Sequence, residues 1–367
     1  MPAFWRTSWR GRAEVARIVV LGAGLAGSAF CVPLADQGHE VRLVGTHVDG
    51  QIVEALASSG FHPRLKVSLP PGVSPLTHDR LPEALSGEVA LVVIAVSTAG
   101  VPWAAEQLAV AATGGRAPPV LLVTKGLAAA DGEIRVLPAL VEDALRRHGV
   151  ASSGVGGIGG PCLALELAAR RETAAVIAHP DPAVLERLID LISAPYYHVR
   201  PSTDVIGVEA CAALKNLVVM AVGAVMGQVE LVGEAANGAH MHNAAAAVFS
   251  QALGELEHLV RALGGRVETV WGLAGAGDLF VTCQGGRNGR MGRLLGRGLT
   301  YREAKSEHMP DDTVEGADLA LAVGPTLAEW WAGGRLDPDT VPLSRALIDA
   351  ICHDHPFEIP WPQLHWP

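Results

Sequence analysis

The sequence lacks any C-x-x-C pair. Its five cysteines, Cys31, Cys162, Cys211, Cys283 and Cys352, are odd in number and widely spaced. That argues against a disulfide framework and a cysteine-held structural zinc site, and it fits reduced thiols in a cytoplasm. A basic excess is also missing: 28 Lys+Arg face 38 Asp+Glu, a formal net charge of −10. No broad nucleic-acid or anionic-membrane surface is expected, although a local basic pocket for one small anion remains open. The longest uncharged apolar runs cover residues 89–105 and 216–229. Ser97, Gly100 and Pro102 interrupt the first, and the second is too short for a bilayer, so no membrane span is expected. Residues 1–16 carry Arg6, Arg10 and Arg12 without an apolar stretch, which reads as a flexible tail and not a secretory signal.

What is present is enough apolar material for two cores. The chain has 367 residues, 49% hydrophobic and 18% charged. The first half alternates strands and helices. Arg17-Ile-Val-Val-Leu21 and Glu40-Val-Arg-Leu-Val44 are β-branched or alternating runs, with a helix over 28–38 between them that ends at Gly38. The runs 89–95 and 119–123 are continuously apolar, as strands buried on both faces require. The glycine-dense stretch 154–161 reads as a strand or loop whose backbone approaches a ligand or another element closely. A helix from Ala164, a strand over 174–178 and a helix over 182–193 follow. Beyond Thr203 the pattern is helical: 204–229, with Gly223 and Gly227 spaced for a close partner helix, then 241–263, 300–306, 315–323 and 343–352. Pro356, Pro360, Pro362 and Pro367 exclude regular helix after His353.

Gly22-Ala23-Gly24-Leu25-Ala26-Gly27 matches G-x-G-x-x-G directly after a strand and at the start of a helix. The first glycine makes the turn, the second lets a pyrophosphate reach the backbone, and the third permits close helix–strand packing. The expected fold class is therefore α/β. A doubly wound, Rossmann-type parallel sheet domain that binds a dinucleotide (17–203) is followed by an all-α domain that holds the substrate and the chemistry (204–367). The second strand ends in Val44-Gly45-Thr46-His47, with no carboxylate for a ribose 2′-hydroxyl. His47 can instead face a 2′-phosphate, so the expected cofactor is NAD(P), with NADP favoured.

Lysine is scarce, which gives its positions weight. Lys125 follows a buried strand. Lys215 sits inside the apolar helix among Val208, Cys211 and Val219, where it must snorkel or line a cavity. Burial and a second ammonium both lower a lysine pKa, which suits proton transfer. In Gly272-Leu-Ala-Gly-Ala-Gly-Asp278, the glycines aim one carboxylate inward. Arg287 and Asn288 lie among glycines before a helix, an arrangement that suits phosphate. His240-Met241-His242 lacks helical i, i+4 spacing, and no metal is assigned. The tryptophans Trp330, Trp331, Trp361 and Trp366 pack on the domain or at a subunit interface.

In order, the chain presents the glycine loop, Thr124-Lys125-Gly126-Leu127, Gly160-Pro161, Ile206-Gly207-Val208-Glu209, Leu214-Lys215-Asn216, Gly272 to Leu279 with Thr282-Cys283, Arg287-Asn288 with Gly292, and Val314-Glu315-Gly316. This series is similar to the soluble bacterial NAD(P)-dependent sn-glycerol-3-phosphate dehydrogenase family, from about residue 17 to 352. The resemblance implies hydride transfer between NAD(P)H and dihydroxyacetone phosphate, with Lys215 as proton donor and acceptor. Lys125, Asp278, Asn216 and Thr282 then complete the site. Arg287 and Asn288 hold the phosphate, and Gly160 gives a backbone contact. Gly22, Gly24, Leu25, Ala26, Gly27, His47, Lys125, Ala164, Arg287 and Glu315 line the cofactor.

Four positions depart from the family pattern. Val96-Ser97 replaces Pro-Ser, and Cys162 replaces a Ser or Thr. Asn243-Ala244-Ala245 replaces Asn-x-Arg or Asn-x-Lys, and Gly286 replaces a Ser. They leave open a related reductase of another small phosphorylated ketone or polyol. A silent nicotinamide sensor is the other alternative, opposed by the intact Lys125, Lys215, Asp278 and Arg287. A cytoplasmic homodimer is expected.

Overall fold

A computed structural model describes residues 14–365 apart from 234 and 236. The expected tail carrying Arg6, Arg10 and Arg12, and Trp366, lie outside the described residues. The chain forms two compact units. One comprises the chain up to Thr124 together with Leu137–Val205. The other comprises Lys125–Val136 together with the chain from Ile206 onward.

The strands of the chain are β1 (Arg17–Leu21), β2 (Glu40–Val44), β3 (Phe61–His62), β4 (Val67–Ser68), β5 (Val73–Leu76), β6 (Leu91–Ile94), β7 (Val120–Leu122), β8 (Leu127–Ala130), β9 (Glu133–Val136), β10 (Val155–Gly159), β11 (Thr173–Ala178) and β12 (Tyr197–Ser202). The first unit is built on an eight-stranded sheet in the order β12-β11-β10-β7-β6-β1-β2-β5. From β5 to β10 all neighbours are parallel, and the order is the doubly wound one, with its reversal between β1 and β6. Every residue of β6 and β7 is buried, which is why those runs show no alternation.

The sheet is not wholly parallel. β10 and β11 run antiparallel, pairing Ile158 with Ile177. The glycine-dense stretch is the cause of their close approach. A Cβ on Gly156 would lie 2.1 Å from the Ala178 carbonyl oxygen, so the element that approaches this backbone is β11. Strand direction leaves no mark on apolar periodicity, and this one junction was not legible beforehand.

The second unit is helical around Val205–Val232, plus the antiparallel hairpin β8–β9. The hairpin was not expected, because Leu127-Ala-Ala-Ala130 is made of helix formers. Trp330, on the helix Glu315–Ala332, donates its indole N–H to the Gly132 carbonyl (2.9 Å), and the Arg335 guanidinium lies 3.7 Å from the centre of its ring. The central helix has 28 residues, so the argument that its apolar run is too short to span a bilayer fails. Its most apolar window is long enough to cross a membrane, but 89% of that window is buried within the protein.

Glycines set how closely the central helix is met. A Cβ on Gly223 would lie 2.5 Å from the Gly289 oxygen, and one on Gly227 would lie 2.0 Å from the Arg293 oxygen. From the other side, Gly292 faces the Met220 oxygen at 2.1 Å and Gly296 the Ala224 oxygen at 2.0 Å. The two helices, Val205–Val232 and Arg287–Gly296, thus touch backbone to backbone in both directions. Gly292→Ala should lower stability by roughly 1–3 kcal/mol, because a fully packed contact must open. Urea unfolding checks this: the midpoint should fall with the slope unchanged.

Candidate active site

Lys215 sits near the middle of the central helix and is 5% exposed. It does not snorkel. Its Nζ donates to Asp278 Oδ1 and, at 2.8 Å, to Thr282 Oγ1. Lys125 Nζ donates to the other oxygen of the same carboxylate at 2.8 Å. Asp278 is therefore a buried anion shared by two ammonium groups. Burial first, and then the charge of Lys125, lower the Lys215 pKa to about 7 against the opposing pull of Asp278.

The approach to Asp278 explains why glycines precede it. Leu273–Gly277 forms a π-helical turn that runs directly into the helix Asp278–Cys283. A Cβ on Gly275 would collide with the Val270 backbone at 2.0 Å. Thr282 lies one turn on and donates to the Asp278 carbonyl at 2.6 Å, which leaves its oxygen facing Lys215.

Next to Lys215, Asn216 Oδ1 accepts from Asn288 Nδ2 at 3.0 Å. Asn288 Oδ1 in turn accepts from the Gly316 amide at 2.9 Å, and Gly316 presses on the Asn216 backbone. Asn216, Asn288 and the Val314-Glu315-Gly316 segment are thus one hydrogen-bonded set. Asn288 is buried, with both ends of its amide engaged in the protein. Arg287 begins the helix and pairs with Glu315, and both remain partly exposed. A cavity of 430 Å³ opens beside it, lined by Cys283, Gly286, Arg287, Gly289, Arg290 and Arg293 among others.

The glycine loop in the other unit shows three distinct environments. A Cβ on Gly22 would lie 2.6 Å from the Ala95 oxygen, and one on Gly27 would lie 2.1 Å from the Gly22 oxygen. At Gly24 nothing lies within 4 Å. The first and third glycines are closed by packing, while the second faces open space at the start of the helix Leu25–Asp36, which has no side-chain cap and no acid in its first turn. This backbone fits a dinucleotide pyrophosphate, with Leu25 and Ala26 at the positive helix end. Asp49 closes the neighbouring turn. Its carboxylate accepts from the amides of Thr46 (2.8 Å) and Ala23 (3.2 Å). His47 is exposed there, edge-on to Trp103. Gly160 follows β10 at φ +118°, and Ala164 opens the helix Ala164–Ala168.

Two family models match the chain: the N-terminal part of NAD-dependent glycerol-3-phosphate dehydrogenase over residues 17–185 and its C-terminal part over 204–356. An NADP(+)-dependent glycerol-3-phosphate dehydrogenase of Archaeoglobus fulgidus is 35% identical over 301 residues, covering 79% of this chain and 83% of the relative. The chain belongs to the NAD(P)-dependent glycerol-3-phosphate dehydrogenase family. A glycerol-3-phosphate dehydrogenase [NAD(P)+] of Shouchella clausii is 31% identical and covers 91% of each chain. Among solved structures, the glycerol-3-phosphate dehydrogenase of Coxiella burnetii superposes with a TM-score of 0.77 at 27% identity, covering 95% of this chain and 98% of that one.

Within this glycerol-3-phosphate dehydrogenase, one departure has a physical reason. Gly286, where a Ser was expected, adopts φ +102° and ψ 174°, a region essentially restricted to glycine. Sequence reasoning assigned no role to Glu209. It is buried on the Lys215 helix, its Oε2 has no hydrogen-bond partner, and burial pushes its pKa well above the carboxylate range although Lys125 pulls it down. A lone acid in an otherwise apolar helical segment was the available signal. Nor was the committed carboxylate of Asp49 foreseen, since an i, i+3 turn closure is invisible without coordinates.

Proposed function

We propose that Lys215 gives and takes the proton in the interconversion of dihydroxyacetone phosphate and sn-glycerol 3-phosphate, the reaction of this NAD(P)-dependent oxidoreductase family. The observation that carries the reading is the Lys215–Asp278–Lys125 group, with Lys215 and Asp278 buried and Lys215 poised near neutrality. NAD(P)H, when bound, supplies the hydride to the carbonyl carbon. Lys215 protonates the oxygen as it gains charge, and Lys125 adds positive potential there. Asp278 and Thr282 orient the two ammonium groups, and Asn216 adjoins them. Arg287 and Asn288 hold the substrate phosphate. Gly160 offers a backbone contact. Gly22, Gly24, Leu25, Ala26 and Gly27 hold the cofactor phosphates, with Lys125, Ala164, Arg287 and Glu315 along the rest of it.

We read NADP as the preferred form. Asp49, the first carboxylate along the chain after β2, is engaged by Thr46 and Ala23, and His47 is exposed at that turn. A cytoplasmic homodimer completes the reading. It is supported by five cysteines with no disulfide among them and by Trp271 and Phe280, apolar side chains exposed in the helical unit.

Steady-state rates with dihydroxyacetone phosphate test the assignment. Lys215→Ala should lose roughly 10²–10⁴-fold in kcat while still binding the cofactor, the span typical of a lost general acid. In the unmodified enzyme, kcat/KM for ketone reduction should fall as pH rises through about 7, where Lys215 loses its proton. The same parameter for alcohol oxidation should rise across that range. Near-normal turnover in the variant, or parallel pH profiles in both directions, would remove Lys215 from the proton step.

Arg287→Ala should cost about 1.5–3 kcal/mol, or roughly 10–150-fold in kcat/KM, with the phosphorylated substrate. An unphosphorylated ketone should show little change, and equal losses on both would contradict the phosphate role. For the cofactor, kcat/KM with NADPH should exceed that with NADH by about tenfold or more, the equivalent of one charge-assisted contact. Equal values would end the NADP reading.

A further inference from the structure

Away from this site, the end of the helix Pro342–Cys352 brings together three side chains with no role in the reaction. His353 Nδ1 lies 2.9 Å from Asp349 Oδ1, and His355 Nδ1 lies 2.8 Å from Asp349 Oδ2. Both imidazoles therefore meet the two oxygens of one carboxylate, and one ligand atom from each residue lies within 4.8 Å of the others. Among the described residues, no other set of three His, Cys, Asp or Glu side chains meets this distance. All three are well exposed to solvent.

The backbone builds this convergence. His353 follows Asp349 by one helical turn. Asp354 then takes φ +59°, a left-handed conformation uncommon outside glycine, and the chain turns so that His355 returns to the same carboxylate. Asp354 is itself held, with Oδ1 accepting from the Arg302 amide at 2.9 Å. Just beyond, Phe357 and Ile359 are buried and fix the outgoing chain. The pair His240 and His242 offers a contrast: their rings lie 5.2 Å apart, but they belong to no such set of three.

We propose that Asp349, His353 and His355 form a binding site for a divalent first-row transition cation that favours imidazole, with zinc as the representative. Two imidazole nitrogens and one carboxylate oxygen are a ligand set such cations take, leaving one or more positions to water. Zinc–nitrogen bonds of about 2.0–2.1 Å require the ligand atoms to close toward each other, which rotation of three exposed side chains can supply. Each neutral imidazole would coordinate through Nδ1 and keep its proton on Nε2. The net charge of −10 favours approach of a cation. The bound ion would tie the chain after Cys352 to the end of its helix.

Isothermal titration of ZnCl2 into the full chain, free of any affinity tag and stripped of metal, tests this. We expect one ion per chain and a rise in thermal midpoint on adding zinc. His355→Ala and Asp349→Asn should each weaken binding about tenfold or more and abolish that rise, while His240→Ala should match the unmodified protein. Ketone reduction without added metal should be unaffected in all three variants. Absence of binding up to millimolar zinc overturns the proposal. So does undiminished binding in His355→Ala or Asp349→Asn, or loss of binding in His240→Ala.

Discussion

The placement of one lysine in the protein interior, with a second half-buried beside it, depends on one carboxylate. Asp278 is 1% exposed and Lys215 5%. Neither ion would be tolerated alone, because removing a charged group from water costs several kcal/mol even after relaxation. Two ammonium groups on one carboxylate solve the problem from both sides. The anion gains two cations, and the cations, which would repel each other, share an anion between them. What remains is a net positive charge that reaches water only through the half-buried Lys125. A helix made almost entirely of apolar residues can carry Lys215 only because the π-helical turn at Leu273–Gly277 delivers Asp278 to it.

The precision of that delivery rests on missing side chains. The central helix and the Arg287–Gly296 helix exchange glycine–carbonyl contacts at Gly223, Gly227, Gly292 and Gly296. Contacts at this range leave neither helix freedom to slide, since any Cβ in the seam would force them apart. Asn216 and Asn288 sit at one end of that seam, and Gly316 closes on both. The start of the arginine-bearing helix is therefore fixed relative to Lys215 by backbone contact, and the amide hydrogen bonds record the result.

Much of this was legible in the sequence where a residue type was constrained for a single physical reason. The glycine loop was readable because its three positions differ sterically, and the structure shows those differences at Gly22, Gly24 and Gly27. Lys215 was readable because a charge inside an apolar helix demands a partner. Its partner's location was not, since Asp278 is 63 residues away along the chain. Gly223 and Gly227 announced a close helix without naming it. The β8–β9 hairpin was hidden because alanine and leucine favour helix locally, and its pairing comes from tertiary contacts such as that of Trp330 with Gly132. Asn288 was read as a phosphate ligand from its neighbours, yet only coordinates could show its amide spanning Asn216 and Gly316.

The charge inventory also accounts for a lysine that titrates near neutrality. Burial pushes the Glu209 carboxyl well above the carboxylate range, although the charge of Lys125 pulls it down. With Lys215 protonated, Lys125, Lys215 and Asp278 together carry one positive charge. Once Lys215 gives up its proton, Lys125 and Asp278 remain as a matched pair, and the amine left behind is neutral. Neither protonation state strands an isolated ion in the interior. Burial and Lys125 favour the neutral amine, while Asp278 favours the ammonium, and the opposition leaves Lys215 near 7. A second buried anion would hold the proton on and impede its transfer. Loss of Asp278 would leave two cations in repulsion and drive the proton off. One shared carboxylate, opposed by burial and by a second ammonium, holds the amine between its two states.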